Sequence, residues 1–398
     1  MQMSCIIICI QINRCPMNKV NKVFLFLTII LISACDKNSQ TVISKSELGA
    51  KLFNDISLSK DGNQSCASCH DSEHAFIDSR INITSADGNT AGAVSVGQDE
   101  VSLGDINTPQ VSYTAFVPDF HYDEGEELFK GGLFFDGRVK NLTEQAMQPF
   151  LNPVEMQNTK ENVVEAVLNQ YSEEMMSLYG HDIFDEIDKA FFAIADAIAA
   201  FEKTEDISPF NSKFDKYLRG EVNLTDAELR GLSLFQDESR ANCAACHPVA
   251  TEISTKEESI FTDFSYDNLG VPVNTIARES NNKDINFIDN GLFGNPQVSD
   301  SDLKGAFRVS SLRNIAVTAP YMHNGVFKNL NTVVHFYNSR DVLGAINPET
   351  GNLWEAAEVD DTKNIEELGD LGLTDEEIND IIVFLNTLTD EDFEHLIN

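Results

Sequence analysis

Two copies of the pattern Cys-x-x-Cys-His restrict the fold of this chain more than any other feature. They occupy residues 66–70 and 243–247 of a 398-residue sequence. In c-type cytochromes the two thiols of this pattern form thioether bonds to haem, and the histidine becomes an axial ligand of the iron. We therefore predict two covalent c-type haems, attached through Cys66, Cys69 and His70 and through Cys243, Cys246 and His247.

Disulfide bonds and a structural zinc site are the alternative interpretations of these four cysteines. A zinc site requires all four thiolates to converge on one metal ion. It also leaves the histidine after each pair without a role. The haem interpretation accounts for all six residues.

The N-terminus has the pattern of a bacterial export signal. Lys19 and Lys22 precede an apolar run from Val23 to Ile32. The run is too short to span a membrane and has the length of a signal-peptide core. We therefore predict a signal peptide at residues 1–34.

The end of the apolar run, Leu-Ile-Ser-Ala-Cys, resembles a bacterial lipobox. We predict that Cys35 is lipidated and that residues 35–45 form a polar tether. The alternative is a plain cleavable signal that leaves Cys35 free. Met17 would be a more ordinary first residue, and residues 1–16 would then be an upstream misreading of the start. The chain that remains after removal of residues 1–34 has five cysteines. With Cys35 on lipid and the other four on haem, none of these five remains for a disulfide, although the predicted location, the bacterial periplasm, is oxidising.

The chain is strongly acidic, with 64 Asp and Glu against 28 Lys and Arg and a formal net charge of −36. This charge argues against nucleic acid as a partner, because the phosphate backbone would repel it. Two interpretations of the charge stay open, the steering of a basic donor protein and general solubility. Membrane contact is expected only through the lipid anchor.

The sequence contains evidence of an internal duplication. Similar segments recur at nearly constant offsets, 49–55 with 231–237 and 137–142 with 325–330. Amphipathic helices are predicted at about 190–203 and 375–388, and Thr374 with Glu377 predicts a capping box for the second.

We therefore predict a mainly α fold of two cytochrome c-like helical domains related by duplication, at residues 46–210 and 211–390. Each domain would carry one covalent haem. Two stretches, 81–104 and 273–303, are predicted to be irregular because they lack apolar periodicity.

The duplication also predicts a chemical difference between the halves. An offset of 188 residues places Pro149 opposite Tyr337. Proline offers no iron ligand, whereas tyrosine offers a phenolate. If this position faces each haem, the first iron has a free site and the second is capped. The alternative is that Tyr337 is an ordinary core aromatic.

Further motifs resemble those of bacterial di-haem cytochrome c peroxidases and, more closely, their MauG-like branch. The resemblance covers about residues 44–389. Besides the haem motifs, it rests on the segments 107–109, 135–138, 152–156, 312–314, 318–325 and 336–338.

The resemblance implies roles for the matching residues. His70 would ligate the N-terminal, peroxidatic haem, with Glu155 as the distal acid–base residue and Gln145 beside it. His247 would ligate the C-terminal, electron-transfer haem. Tyr337 would be its second axial ligand, where ordinary members have methionine. A phenolate stabilises the higher oxidation states of iron, whereas a thioether favours the reduced state.

The resemblance also implies a calcium site formed by Asn107, Thr318 and Pro320, the last two through backbone carbonyls. Oxygen ligands of this kind suit a hard cation.

Two features refine the expected activity. The segment before Asn107, residues 94–106, contains no histidine that could block the first haem, so we expect an open iron. Phe135 stands where family members usually have a tryptophan that relays electrons between the haems. We interpret the single tryptophan, Trp354, as a packing residue.

Three other histidines have expected positions. His74 and His121 are expected at the surface, and His323 near the second haem.

The resemblance implies a periplasmic oxidoreductase of the cytochrome-c peroxidase type. It would reduce hydrogen peroxide to water with electrons from a small cytochrome c or cupredoxin. Two alternatives stay open. One is MauG-like, peroxide-dependent oxidation of a partner protein. The other is a non-catalytic di-haem electron carrier.

Overall fold

The structure is a computed structural model that describes residues 43–82, 93–250, 259–281 and 283–397. Helices account for most of its regular structure, and the predicted mainly α fold is confirmed. The α-helices are α1 (Lys45–Phe53), α2 (Cys66–Cys69), α3 (Leu142–Ala146), α4 (Gln148–Leu151), α5 (Lys160–Tyr179), α6 (Ile187–Glu202), α7 (Lys213–Leu218), α8 (Asp226–Gln236), α9 (Thr275–Ser280), α10 (Leu330–Ser339) and α11 (Asp375–Asn386).

Strands are short and lie in two antiparallel pairs within the described residues. In the first pair, β1 (His121–Asp123) and β2 (Leu128–Lys130) align His121 with Lys130. In the second, β3 (Tyr266–Asp267) and β4 (Phe307–Arg308) align Tyr266 with Arg308. The second pair places Arg308 beside the second haem motif, as described below.

Two helix pairs form the centres of the two halves, and both pairs are packed in the same way. α1 packs against α6, and α8 packs against α11. A Cβ atom at Gly49 of α1 would lie 1.9 Å from the carbonyl oxygen of Ala197. A Cβ atom at Gly231 of α8 would lie 2.0 Å from the carbonyl oxygen of Asp380. Only glycine permits backbones to approach this closely, because even a methyl group would overlap the facing helix.

Both predicted amphipathic helices are present. The predicted helix at 190–203 corresponds to α6, and the one at 375–388 corresponds to α11. The Thr374 side chain accepts from the Glu377 backbone N–H while the Glu377 side chain accepts from the Thr374 backbone N–H, as the capping box predicts.

The expectation that 273–303 has no regular structure was wrong for α9, which begins after Asn274. The Asn274 side chain caps this helix by accepting from the Ala277 N–H.

Each half has its own apolar core, although the residues from 42 onwards form a single compact unit. The first core lies around α1, α5 and α6, and the second lies around α8, α10 and α11. Phe393, near the C-terminus, packs into the first core. The domain boundary near residue 210 stays a prediction.

Within the described residues, no helix has both the length and the apolar character needed to cross a membrane. The predicted signal peptide, Cys35 and residues 36–42 of the predicted tether lie outside the described residues.

Candidate haem sites

The first Cys-x-x-Cys-His motif lies on a single helical turn followed by its histidine. Cys66 and Cys69 begin and end α2, and His70 directly follows. The His70 Nδ1 donates to the carbonyl oxygen of Phe76 at 3.1 Å, which leaves Nε2 available for iron. Burial lowers the pKa of His70, and so the ring is neutral, as a metal ligand must be.

The second motif has the same arrangement. The His247 Nδ1 donates to the carbonyl oxygen of Phe261 at 2.8 Å, and burial again lowers the pKa of the ring. A cavity of about 280 Å³, which we call the second cavity because it belongs to the second motif, is lined by Cys243, Cys246 and His247. Tyr337, on α10, lines the same cavity.

The four cysteines do not form the alternative sites considered from the sequence. All four are free thiols. Burial raises the pKa of Cys69, Cys243 and Cys246 to about 12, and it also raises that of Cys66, so the groups are thiols rather than thiolates at neutral pH. No cluster of three or more His, Cys, Asp or Glu that could hold a metal ion occurs in the described part of the chain. Within the described residues the four cysteines therefore form neither a disulfide nor a four-thiolate cluster.

A buried cation in the second cavity fits a haem. Arg308, on β4, lines the cavity, and its Nε atom is buried without a hydrogen-bond partner among the described residues. Burial lowers the pKa of Arg308, and no carboxylate in the described part of the chain offsets this effect. A haem carries propionate carboxylates, which would supply the missing acceptor. Sequence analysis missed Arg308, because a single arginine in a short strand has no distinguishing pattern.

The candidate acid–base residue lies beside the first motif. Glu155, in the turn after α4, is close enough for its charge to raise the pKa of the Cys66 and Cys69 thiols. Burial raises the pKa of Glu155, although a hydrogen bond from the Asn152 side chain, with Nδ2 2.5 Å from Oε1, opposes the shift. A carboxyl whose pKa is raised by burial holds a proton more readily than an exposed one, as a residue that accepts and returns a proton requires. Gln145 is partly buried on the neighbouring α3.

The segment without histidine packs directly on this turn. The Gln98 N–H donates to the carbonyl oxygen of Glu155 at 2.9 Å. A Cβ atom at Gly97 would lie 2.6 Å from the carbonyl oxygen of Val154, so this contact requires glycine. The segment therefore fixes the backbone of the Glu155 turn and brings no imidazole towards the first motif.

Residues from the first half of the chain also line the second cavity. Phe135 lines it, together with Ile77 and Tyr113. Burial raises the pKa of Tyr337, so without an opposing cation its hydroxyl is protonated. Ferric iron would be such a cation.

His323 lies in this cavity, as the sequence predicted. Its ring stacks on Phe307 with centroids 3.6 Å apart, and burial lowers its pKa to about 3. His74 and His121 are at the surface, as expected from the sequence: His74 pairs with Asp71, and His121 is exposed.

The three residues of the predicted calcium site are brought together. Asn107, Thr318 and Pro320 all line the cavity. The Asn107 Nδ2 donates to the carbonyl oxygen of Pro320 at 2.7 Å. Rotation of this amide by half a turn would present its oxygen next to that carbonyl, as a hard cation requires.

Comparisons with known proteins identify the family that this chain resembles. Residues 43–223 match the family model described as di-haem cytochrome c peroxidase. Methylamine utilization protein MauG of Paracoccus denitrificans is 43% identical over 357 residues, which cover 88% of this chain and 89% of that protein. Cytochrome c551 peroxidase of Nitrosomonas europaea is 33% identical over 293 residues, 72% of this chain and 71% of that protein.

Solved structures of a di-haem peroxidase and of a MauG-like protein are also similar to this chain. The di-haem peroxidase BthA of Burkholderia thailandensis superposes with a TM-score of 0.79 at 29% identity, over 89% of this chain and 88% of that chain. A MauG-like protein associated with microbial copper homeostasis gives a TM-score of 0.62 at 29% identity, over 89% of this chain and 91% of that chain.

Proposed function

Because this chain belongs to the di-haem cytochrome c peroxidase family, we propose that it is a peroxidase that reduces hydrogen peroxide to water. The electrons would come from a small cytochrome c or cupredoxin. The observation that carries this proposal is the position of Glu155, a carboxyl of raised pKa beside the first haem motif.

The residues of the first site would have distinct roles. A haem held by Cys66, Cys69 and His70 would supply the iron at which peroxide is reduced. Glu155 would take a proton from one peroxide oxygen and return it to the other, because burial raises the pKa of its carboxyl and so increases its affinity for a proton. Gln145, on the neighbouring helix, would help to orient the peroxide.

The second site would pass electrons. A haem held by Cys243, Cys246 and His247 would be capped by Tyr337, which lines the same cavity. Asn107, Thr318 and Pro320 would bind one calcium ion between the sites. Export through residues 1–34 would place the protein in the periplasm, with Cys35 as its lipid anchor. The arrangement of α1 with α6 and α8 with α11 supports descent of the two halves from one duplicated unit.

Replacement of Glu155 tests the catalytic proposal. Glu155→Gln keeps the shape of the side chain and removes its proton transfer, so peroxide turnover should fall by roughly two or more orders of magnitude. Glu161→Gln is the matched control, because Glu161 is an exposed carboxyl near the start of α5. Unchanged turnover in Glu155→Gln would refute the acid–base role of Glu155. A wild-type protein that does not turn over peroxide would favour the non-catalytic electron carrier instead.

MauG-like oxidation of a partner protein is the second candidate function. The identity with MauG and the position of Tyr337 in the second cavity support it. Phe135 counts against it, because phenylalanine is a poor site for charge sharing. EPR spectra of the diferric protein, recorded before and after one equivalent of peroxide without a donor, separate the two functions. An oxidised state that persists until a protein substrate is added favours the MauG-like function, and rapid return to the ferric state only with a donor favours the peroxidase.

A further inference from the structure

Phe135 leaves the electron path between the two haem sites without an easily oxidised side chain at the expected position. Phe135 lines the second cavity, but a phenyl ring is much harder to oxidise than an indole or a phenol. Tyr113 lines the same cavity and is almost completely buried, with 1% of its surface exposed.

A chain of contacts connects Tyr113 to the first site. The carbonyl oxygen of Phe76 accepts from the His70 Nδ1 at 3.1 Å and from the Val111 N–H at 3.4 Å. Tyr113 follows Val111 by two residues. The path from the first histidine to the phenol is therefore two hydrogen bonds and a short piece of backbone.

A second chain connects Tyr113 to the other site. The Arg313 guanidinium lies over the Tyr113 ring, 5.1 Å from its centroid. The Arg313 Nε donates to the carbonyl oxygen of Ser259 at 2.8 Å. Two residues later, the carbonyl oxygen of Phe261 accepts from the His247 Nδ1 at 2.8 Å. Tyr113 is thus connected by chains of contacts to both of the histidines that follow the cysteine pairs.

The Tyr113 hydroxyl has a base to receive its proton. It donates to the Asp390 Oδ1 at 2.6 Å. The other oxygen of Asp390 accepts from the Asn314 side chain at 2.9 Å, which fixes the carboxylate. Burial raises the pKa of Asp390 and so increases its affinity for a proton. Tyr113 has φ +67°, in the left-handed region that bulky residues rarely adopt, so its surroundings determine its position.

We propose that Tyr113, with Asp390 as its proton acceptor, is the electron relay between the two haem sites. This proposal rests on the proposed peroxidase function, with hydrogen peroxide as the oxidant. Tyr113 gives one electron to the peroxide-oxidised first site and its hydroxyl proton to Asp390, so the O–H bond breaks. One electron from the second site, together with the proton on Asp390, re-forms that bond. Two such cycles, with two protons from solvent, supply what one peroxide needs to become two water molecules.

Tyr321 provides a matched comparison within the same cavity. It is also buried and lines the cavity, but its hydroxyl donates to the backbone carbonyl oxygen of Ile315 at 2.9 Å. An amide carbonyl is too weak a base to take the phenol proton. Tyr321→Phe therefore removes a hydroxyl of similar burial without removing a proton-coupled pair.

The test uses the full-length, haem-loaded protein with both irons ferric, mixed with one equivalent of peroxide and no donor. Rapid-freeze EPR follows the ferric signals of the two haems separately. Tyr113→Phe should slow the response of the second haem by about tenfold or more, equivalent to about 1.4 kcal/mol in the barrier. The response of the first haem should keep its rate. Asp390→Asn should slow the second haem in the same way, Tyr321→Phe should not, and the wild-type step should be slower in D₂O.

Each outcome decides the proposal. A second haem that responds at the wild-type rate in both Tyr113→Phe and Asp390→Asn overturns the relay and leaves the peroxidase function intact. A wild-type first haem that ignores peroxide overturns the peroxidase function and the relay with it. If Tyr113→Phe does not fold, equal wild-type rates in H₂O and D₂O overturn the relay, and a slower step in D₂O together with a slow Asp390→Asn supports it.

Discussion

Replacement of Asp215 by Asn should destabilise the protein more than any change of a surface charge. Asp215, on α7, accepts from both terminal nitrogens of Arg313, at 2.6 and 2.7 Å. The two side chains have 1% and 0% of their surfaces exposed. Burial raises the pKa of Asp215, but the hydrogen bonds and charge of Arg313 outweigh this effect and lower it overall.

The size of the effect follows from the burial of the pair. Asp215→Asn leaves the guanidinium of Arg313 buried without its counter-charge, and removal of one partner from a buried pair costs about 3–5 kcal/mol. The substitution also disrupts the capping box in which Asp215 holds Ser212, a further loss of about 1 kcal/mol. The double variant Asp215→Leu with Arg313→Met should recover part of this loss, because no charge then remains buried.

Urea unfolding of the haem-loaded protein, followed by circular dichroism, measures this effect. The midpoint should fall in Asp215→Asn with little change in the m-value. Asp188→Asn is the control. Its pair with Lys160 has a similar distance, 2.7 Å, but is largely exposed, so its loss should cost at most about 1 kcal/mol. A decrease of less than about 1 kcal/mol in the free energy of unfolding of Asp215→Asn would refute the reasoning, since an unpaired buried charge is expected to destabilise the folded state by more than that.

Three further predictions concern other parts of the chain. Glu202 is buried, and one of its carboxyl oxygens has no hydrogen-bond partner among the described residues. Burial raises the pKa of Glu202 to about 8, so the folded state keeps a proton that the unfolded state releases above its usual pKa. The free energy of unfolding should therefore fall by up to about 1.4 kcal/mol per pH unit as pH rises towards 8. Glu202→Gln should remove this slope in urea titrations at several pH values, and a persistent slope would contradict the assignment. Gly231→Ala should lower the melting temperature clearly, because the added methyl group would overlap the carbonyl oxygen of Asp380. Gly294→Ala is the control and should leave the melting temperature unchanged, because a methyl group at Gly294 would meet no described atom within 4 Å. Added calcium should raise the melting temperature of chelator-treated protein, and Asn107→Ala should abolish that response.

Local features were predictable from the sequence, because neighbouring residues determine them. The capping box at Thr374 and the Cys-x-x-Cys-His turns depend on residues within five positions of each other, and the structure has them where the pattern predicts. The start of α6 was less accurate. The helix was predicted to begin at about residue 190, whereas it begins at Ile187, after a turn in which the Asp185 N–H donates to the carbonyl oxygen of Asp182.

The contacts that join the two halves were not predictable. Tyr113 and Asp390 are separated by 277 positions, and no periodicity in either segment indicates the other. Trp354 was interpreted as a packing residue. It does pack, against Phe336 with centroids 5.4 Å apart, but in the cluster that also includes Tyr337. Composition and spacing specify which side chains can be buried, but not which distant segments bury them together.

The residues that stabilise the junction of the two halves are also those that would conduct electrons across it. Arg313 pairs with Asp215, supports the backbone before Phe261 and covers the ring of Tyr113. Stability and electron transfer can still be separated experimentally. Tyr113→Phe removes an oxidisable hydroxyl and keeps the ring, whereas Asp215→Asn removes a buried charge and no oxidisable group. If Asp215→Asn also slowed the second haem, we would infer that the charge of Arg313 tunes Tyr113, because the substitution alters neither Tyr113 nor Asp390.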